Sequence, residues 1–98
     1  MTISLGHCLV DLATREVRWS GRTERLTPIE AKLLDYLVLR AGDVVPRPEV
    51  LADVWGYHPD SRSETVGVIV RRLRRKIELE PGRPTVLRTV RGTGWTLV

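Results

Sequence analysis

Residues 61–80 read SRSETVGVIVRRLRRKIELE, and the period of their apolar positions decides the fold. In a helix turning by about 100° per residue, Val66, Val70, Leu73 and Ile77 fall on one stripe, with Ile69 on its flank. Opposite them lie Glu64, Thr65, Val68, Arg71, Arg72 and Arg75. A surface helix needs one apolar stripe, and its outer face is usually mixed in charge. Here arginine dominates that face, and its guanidinium fork matches phosphate oxygens and the major-groove edge of guanine. The pattern predicts a helix that touches DNA. A solvated arginine face has the same periodicity, so the helix alone leaves that alternative open.

The charge around this segment points the same way. The chain has 98 residues and a net charge of +4. Residues 62–91 hold nine Lys or Arg against three acids, whereas the rest of the chain is slightly acidic. A local positive field is the footprint of a nucleic-acid partner, and solubility alone does not require it. Five aromatic residues, none of them Phe, leave the core to Leu, Val and Ile. One cysteine excludes an internal disulfide framework, and two histidines with it fall short of a zinc set. No run is long and apolar enough for a membrane span or a signal peptide, so the expected location is cytoplasmic. There is no repeat or linker, and residues 1–98 are expected to form one domain.

Working outward, residues 3–26 are expected to form a small antiparallel sheet. Cys8, Val10 and Leu12 alternate with more exposed positions, Val17 and Trp19 repeat the period of two, and turns fall at Ala13-Thr14-Arg15 and Gly21. Thr27-Pro28-Ile29-Glu30 is a helix start, with a Thr cap, Pro in the first turn and Glu completing a capping box. The first helix is expected over about 28–41, with Ile29, Leu33, Leu34, Leu37 and Val38 on its apolar face. Val44-Val45 reads as a very short strand. A second helix is expected over about 47–55, with Pro48 in its first turn and Gly56 as its stop. Ser61 and Glu64 offer a second capping box for the arginine helix, expected over about 62–79. Two strands near 85–90 and 95–98, joined through Arg91-Gly92-Thr93-Gly94, complete a hairpin, its glycines allowing a turn with positive φ.

The second and third helices make a helix-turn-helix candidate, in which the later helix enters the major groove. Arg71, Arg72 and Arg75 would meet phosphates or guanine edges there, and Val68 a thymine methyl. Arg74 and Lys76, on the flanks, suit phosphate contacts that carry affinity without sequence preference. Arg88 and Arg91 beside the glycine turn suit a minor groove.

The chain resembles the OmpR/PhoB-type winged-helix effector domains. The resemblance rests on Leu26-Thr27-Pro28-Ile29-Glu30 with Leu33-Leu34, and on Val44-Val45-Pro46-Arg47-Pro48-Glu49-Val50-Leu51 with Val54-Trp55-Gly56. It rests also on Thr65-Val66, the run IVRRLRRKI at 69–77, and Thr89-Val90-Arg91-Gly92-Thr93-Gly94-Trp95. It implies an α+β winged helix-turn-helix: an N-terminal antiparallel sheet, a three-helix core and a C-terminal hairpin wing. It implies sequence-specific binding of double-stranded DNA for transcription regulation, as the output domain of a two-component phosphorelay, without a cofactor. By resemblance, Arg71, Arg72 and Arg74 match major-groove contacts, and Thr89, Arg91 and Thr93 belong to the wing. Gly56, Tyr57, His58, Pro59 and Asp60 match a loop that faces RNA polymerase in some members. Head-to-tail dimers on direct repeats are also implied, and a receiver domain usually lies upstream in such proteins.

Three positions of the arginine-helix segment depart from the family pattern. Gly67 and Ile69 stand where Asp and His are frequent, and Glu64 where Arg is frequent. A second reading draws on Glu64 and Gly67: a winged-helix module that docks a protein partner, with DNA binding weak or lost. Pro46 stands for a frequent Ser cap, and Trp95 for the more usual Tyr. Cys8 is expected to be a small buried strand residue, and Trp19 and Trp55 core residues. No nucleophile constellation, acid–base pair or phosphate-cradling loop appears, so no catalysis is expected.

Overall fold

The computed structural model describes residues 2–58, 60–61 and 63–98. Four short strands open the chain: β1 (Thr2–Leu5), β2 (Cys8–Asp11), β3 (Glu16–Trp19) and β4 (Arg22–Arg25). They form an antiparallel meander in sequence order. The alternation read from the sequence is present, since Leu5, Cys8, Val10 and Val17 face the core while Leu9 and Arg18 pair on the outer side. The β2–β3 turn is tied by Asp11, whose Oδ1 accepts the N–H of Ala13 (3.0 Å) and Thr14 (3.3 Å).

Helix α1 (Pro28–Val38) begins at the expected capping box. Thr27 Oγ1 accepts the Glu30 N–H, and Glu30 Oε1 accepts the Thr27 N–H at 2.8 Å. The helix stops at Val38, three residues before the expected end at 41. From there Arg40 and Ala41 make tighter bonds back to Leu37 and Val38, and the Gly42 N–H is taken by Leu97 O at 2.9 Å. The short strand β5 (Val44–Pro46) is present and leads directly into α2 (Arg47–Asp53). Pro46 is the N-cap of α2 and gives it no side-chain cap, while Pro48 sits in the first turn where its missing N–H costs nothing.

The arginine helix α3 covers Thr65–Ile77 and is shorter at both ends than the expected 62–79. The anticipated Ser61–Glu64 box does not form: Glu64 is the N-cap and makes no side-chain cap bond. Serines satisfy the entering N–H groups locally, with Ser61 Oγ accepting from Ser63 N and Ser63 Oγ from Thr65 N. That turn postpones the helix to Thr65. Arg62 and Pro59, which the expected helix and loop include, lie outside the described residues. At the other end Glu78 leaves the helix with φ −96° and ψ 143°. Strands β6 (Leu87–Val90) and β7 (Gly94–Leu97) then form the hairpin, and β7 also pairs with β5.

One buried cluster joins these layers. Leu33, Leu34 and Leu37 of α1 meet Val50 and Leu51 of α2 and Val66, Val70, Leu73 and Ile77 of α3. Leu87 and Leu97 close it from the hairpin, and Val10 and Val17 from the meander. Trp19 and Trp55 are half-buried against the cluster. Among the described residues no helix is long and apolar enough to cross a membrane.

Candidate nucleic-acid interface

The apolar stripe of α3 is in place, with Val66, Ile69, Val70, Leu73 and Ile77 buried. The opposite face is open: Glu64, Val68, Arg71, Arg72 and Arg75 are exposed, and Thr65 is half-buried. Val68 retains 37% of its surface although it is an apolar helix residue with no core to meet. Thr65 Oγ1 lies 2.7 Å from Ser63 Oγ, so the entry turn holds this hydroxyl. Among the described residues no carboxylate comes within ion-pair distance of Arg71, Arg72 or Arg75.

The two flanking cations, expected to suit phosphate contacts, both make hydrogen bonds within the chain. Lys76 Nζ lies 2.7 Å from Glu30 Oε1 and donates to Arg25 O at 2.8 Å. Its own carbonyl accepts the Trp19 Nε1–H at 2.8 Å. Lys76 is therefore a strut between α3, α1 and the meander. On the opposite flank Arg74 donates from Nε to Leu87 O (3.0 Å) and from Nη2 to Thr89 Oγ1 (2.7 Å). Burial lowers its guanidinium below the ordinary arginine range, while the Glu78 charge opposes that shift.

Glu78, which the sequence reading passed over, is 2% exposed and gathers three backbone donors. Oε1 accepts from Thr85 N (2.9 Å) and Val86 N (3.1 Å), and Oε2 from Val86 N (3.1 Å) and Leu87 N (2.7 Å). A carboxylate can be kept out of water only with such donors. The available signal was its position: an acid straight after the last core residue, Ile77, where the chain must turn back. Beside it, Cys8 is a buried thiol whose pKa is pushed up to about 11 by burial and by the Glu78 charge.

The hairpin turn lies at the end of the molecule where α3 begins. The Arg47 N–H donates to Thr93 O at 2.9 Å, and the Arg47 guanidinium donates to Ser63 O. One residue thus ties the turn of the hairpin to the entry of α3. Thr89, Arg91 and Thr93, with Arg88, are exposed. Gly92 has the expected positive φ of 77°, but Gly94 does not. Gly94 is needed because a side chain there would meet the backbone of Val45. The loop after α2 exposes Gly56, Tyr57, His58 and Asp60, and the Gly56 and Tyr57 N–H groups bond back to Ala52 and Leu51.

A half-buried helix with one arginine face, a bracing helix before it and a basic hairpin at its entry make a winged helix-turn-helix. A family model described as the C-terminal part of transcriptional regulatory proteins matches residues 21–97. The chain belongs to this family. The chain is 43% identical over 82 residues to the transcriptional regulator RpaA of Synechocystis, covering 84% of this chain and 34% of that protein. With the response regulator MtrA of Mycobacterium bovis it shares 38% over 93 residues, covering 95% and 41%. It thus spans between a third and a half of the length of these relatives. Among solved structures, the DNA-binding domain of RstA from Klebsiella pneumoniae, in complex with its RstA box, superposes with a TM-score of 0.82 at 29% identity, covering 99% of this chain and 96% of that one. DrrB of Thermotoga maritima, an OmpR/PhoB homologue, gives 0.83 at 27% identity, with 99% of this chain and 44% of that one covered. Both support the OmpR/PhoB-type fold.

Proposed function

We propose that residues 1–98 act as one winged-helix unit that binds double-stranded DNA and regulates transcription. In this reading α3 enters the major groove and the β6–β7 wing meets the adjacent minor groove. The observation that carries it is the exposed arginine trio of Arg71, Arg72 and Arg75, standing on the α3 face opposite the core and in ion-pair distance of no carboxylate among the described residues. The wing exposes Arg88, Arg91 and Thr93, and Arg47 ties its turn to the entry of α3, so two basic elements can follow one duplex. Val68 offers an apolar contact for a thymine methyl, and Glu64 can accept from a cytosine amine. DNA recognition by the RstA domain on a shared fold supports the reading.

The test is selection of bound sequences from random duplexes, followed by affinity measurements at several salt concentrations. A steep fall of affinity with salt is expected, with relaxed sequence preference in Arg72→Ala. Absence of duplex binding at low salt would overturn the proposal. Stoichiometry on one half-site against two direct half-sites then decides whether two copies bind head to tail.

A further inference from the structure

The wing is held to α3 by a device that acts on one strand residue. Leu87 lies on β6, the free edge of the β5–β7–β6 sheet. Its N–H is bound by Glu78 Oε2 at 2.7 Å and its carbonyl by Arg74 Nε at 3.0 Å. Arg74 lies in α3's final turn and Glu78 caps it four residues on, so the two side chains share one side of the helix end. The second arm of the Arg74 fork reaches Thr89 Oγ1, two residues further along the strand. Glu78 extends the grip in the other direction to Thr85 and Val86. The whole start of β6 is thereby fixed to the last turn of the helix.

We propose that Arg74 and Glu78 are positioning residues that set the wing's reach relative to the major-groove face of α3. This rests on the DNA-binding reading above. Along a strand each residue advances about 3.3 Å, so gripping Leu87 and Thr89 fixes where β6 ends at Val90 and where Arg91 starts the turn, two residues beyond Thr89. Arg74 acts on the duplex through the wing, its Nε–H held by Leu87 O and one Nη2–H by Thr89 Oγ1. Glu78 is buried, with its carboxylate turned to the β6 backbone and away from solvent. Among the described residues Arg71, Arg72 and Arg75 are then the α3 cations without an ion-pair or hydrogen-bond partner, while Arg74 holds the wing.

A double-mutant cycle in duplex affinity separates this from a direct contact. Arg91→Ala removes the wing's contact and Arg74→Ala its placement. Each is expected to weaken binding about tenfold, the scale of one charge-assisted hydrogen bond. Together they are also expected to weaken it only about tenfold, because a misplaced wing has no Arg91 contact left to lose. Arg74→Lys keeps the charge without the fork and is expected to resemble Arg74→Ala. Glu78→Gln is expected to show the same non-additivity with Arg91→Ala; should it fail to fold, the Arg74 variants decide alone. Hydrogen exchange of the Leu87 amide, read without DNA, is expected to quicken in Arg74→Ala. Additive losses near a hundredfold, or full rescue by Arg74→Lys, would overturn the proposal while leaving DNA binding standing. A wild-type chain that binds no duplex would remove both.

Discussion

A methyl group on Gly94 would stand 2.0 Å from the carbonyl oxygen of Val45 and 2.9 Å from Pro46 Cα. Gly94 pairs with Pro46 across the β5–β7 ladder, so the hairpin meets the strand before α2 without room for any Cβ. Both obstructing atoms belong to backbone and cannot rotate away. Gly94→Ala is expected to cost about 3 kcal/mol, at the upper end of the usual range for overpacking. Gly92→Ala meets only open space and bears just its positive φ of 77°, a strain of about 1 kcal/mol. Chemical denaturation of the two variants checks the order; equal losses would refute the close-approach explanation.

Gly67 stands in the first turn of α3 with nothing within 4 Å of its missing Cβ. Alanine there removes backbone freedom from the unfolded chain without creating a clash. Gly67→Ala is expected to raise stability by about 0.5–1 kcal/mol and the melting temperature by a few degrees. A thermal melt checks it, and a lower melting temperature would contradict the open space seen beside α3.

Burial pushes the Cys8 thiol from its ordinary value of 9.0 up to about 11 in the folded state. The unfolded thiol therefore loses its proton first as pH rises, and the folded state alone still holds it. The stabilising contribution is full below about pH 9 and is lost between there and pH 11, on the order of 2 kcal/mol. Tyr36 is also pushed up, by burial first and then by Glu49 and Asp53, and adds to the alkaline loss. Comparing denaturation of the wild type and Cys8→Ala from pH 8 to 11 isolates the thiol. The variant is expected to lose less stability over that interval, and parallel curves would exclude the Cys8 contribution.

Much of this architecture was legible because its signals are local. The Thr27–Glu30 box and the period of Val66, Val70, Leu73 and Ile77 need no tertiary knowledge, and both stand in the structure. The Ser61–Glu64 box used the same rule and failed, since Ser63 offered the entering chain a competing turn. The end of α3 was illegible for a different reason: Glu78 is drawn out of the helix by donors seven to nine residues away. The same limit applies to the basic residues. Spacing separates the outer arginines from the flanking pair, but only folding shows that Lys76 and Arg74 are engaged by Glu30 and Thr89.

That division of the cations has an electrostatic consequence. Each phosphate neutralised by a lysine or arginine adds about 0.9 to the slope of log affinity against log salt. Arg75 is exposed and without an ion-pair partner among the described residues, so Arg75→Ala is expected to lower the slope by about 0.9 if it meets phosphate. Lys76 already neutralises Glu30, a side chain only 1% exposed, and releases no counterion from the duplex. Lys76→Gln is therefore expected to leave the slope unchanged within error. It is expected instead to cost about 2 kcal/mol of stability, because Glu30 is left as a buried acid with only its Thr27 N–H partner. Binding should be measured well below the melting temperature so that both variants are folded. A slope lowered by Lys76→Gln as much as by Arg75→Ala would mean that Lys76 leaves Glu30 for DNA, and the strut between α3 and α1 would then hold only in the free protein.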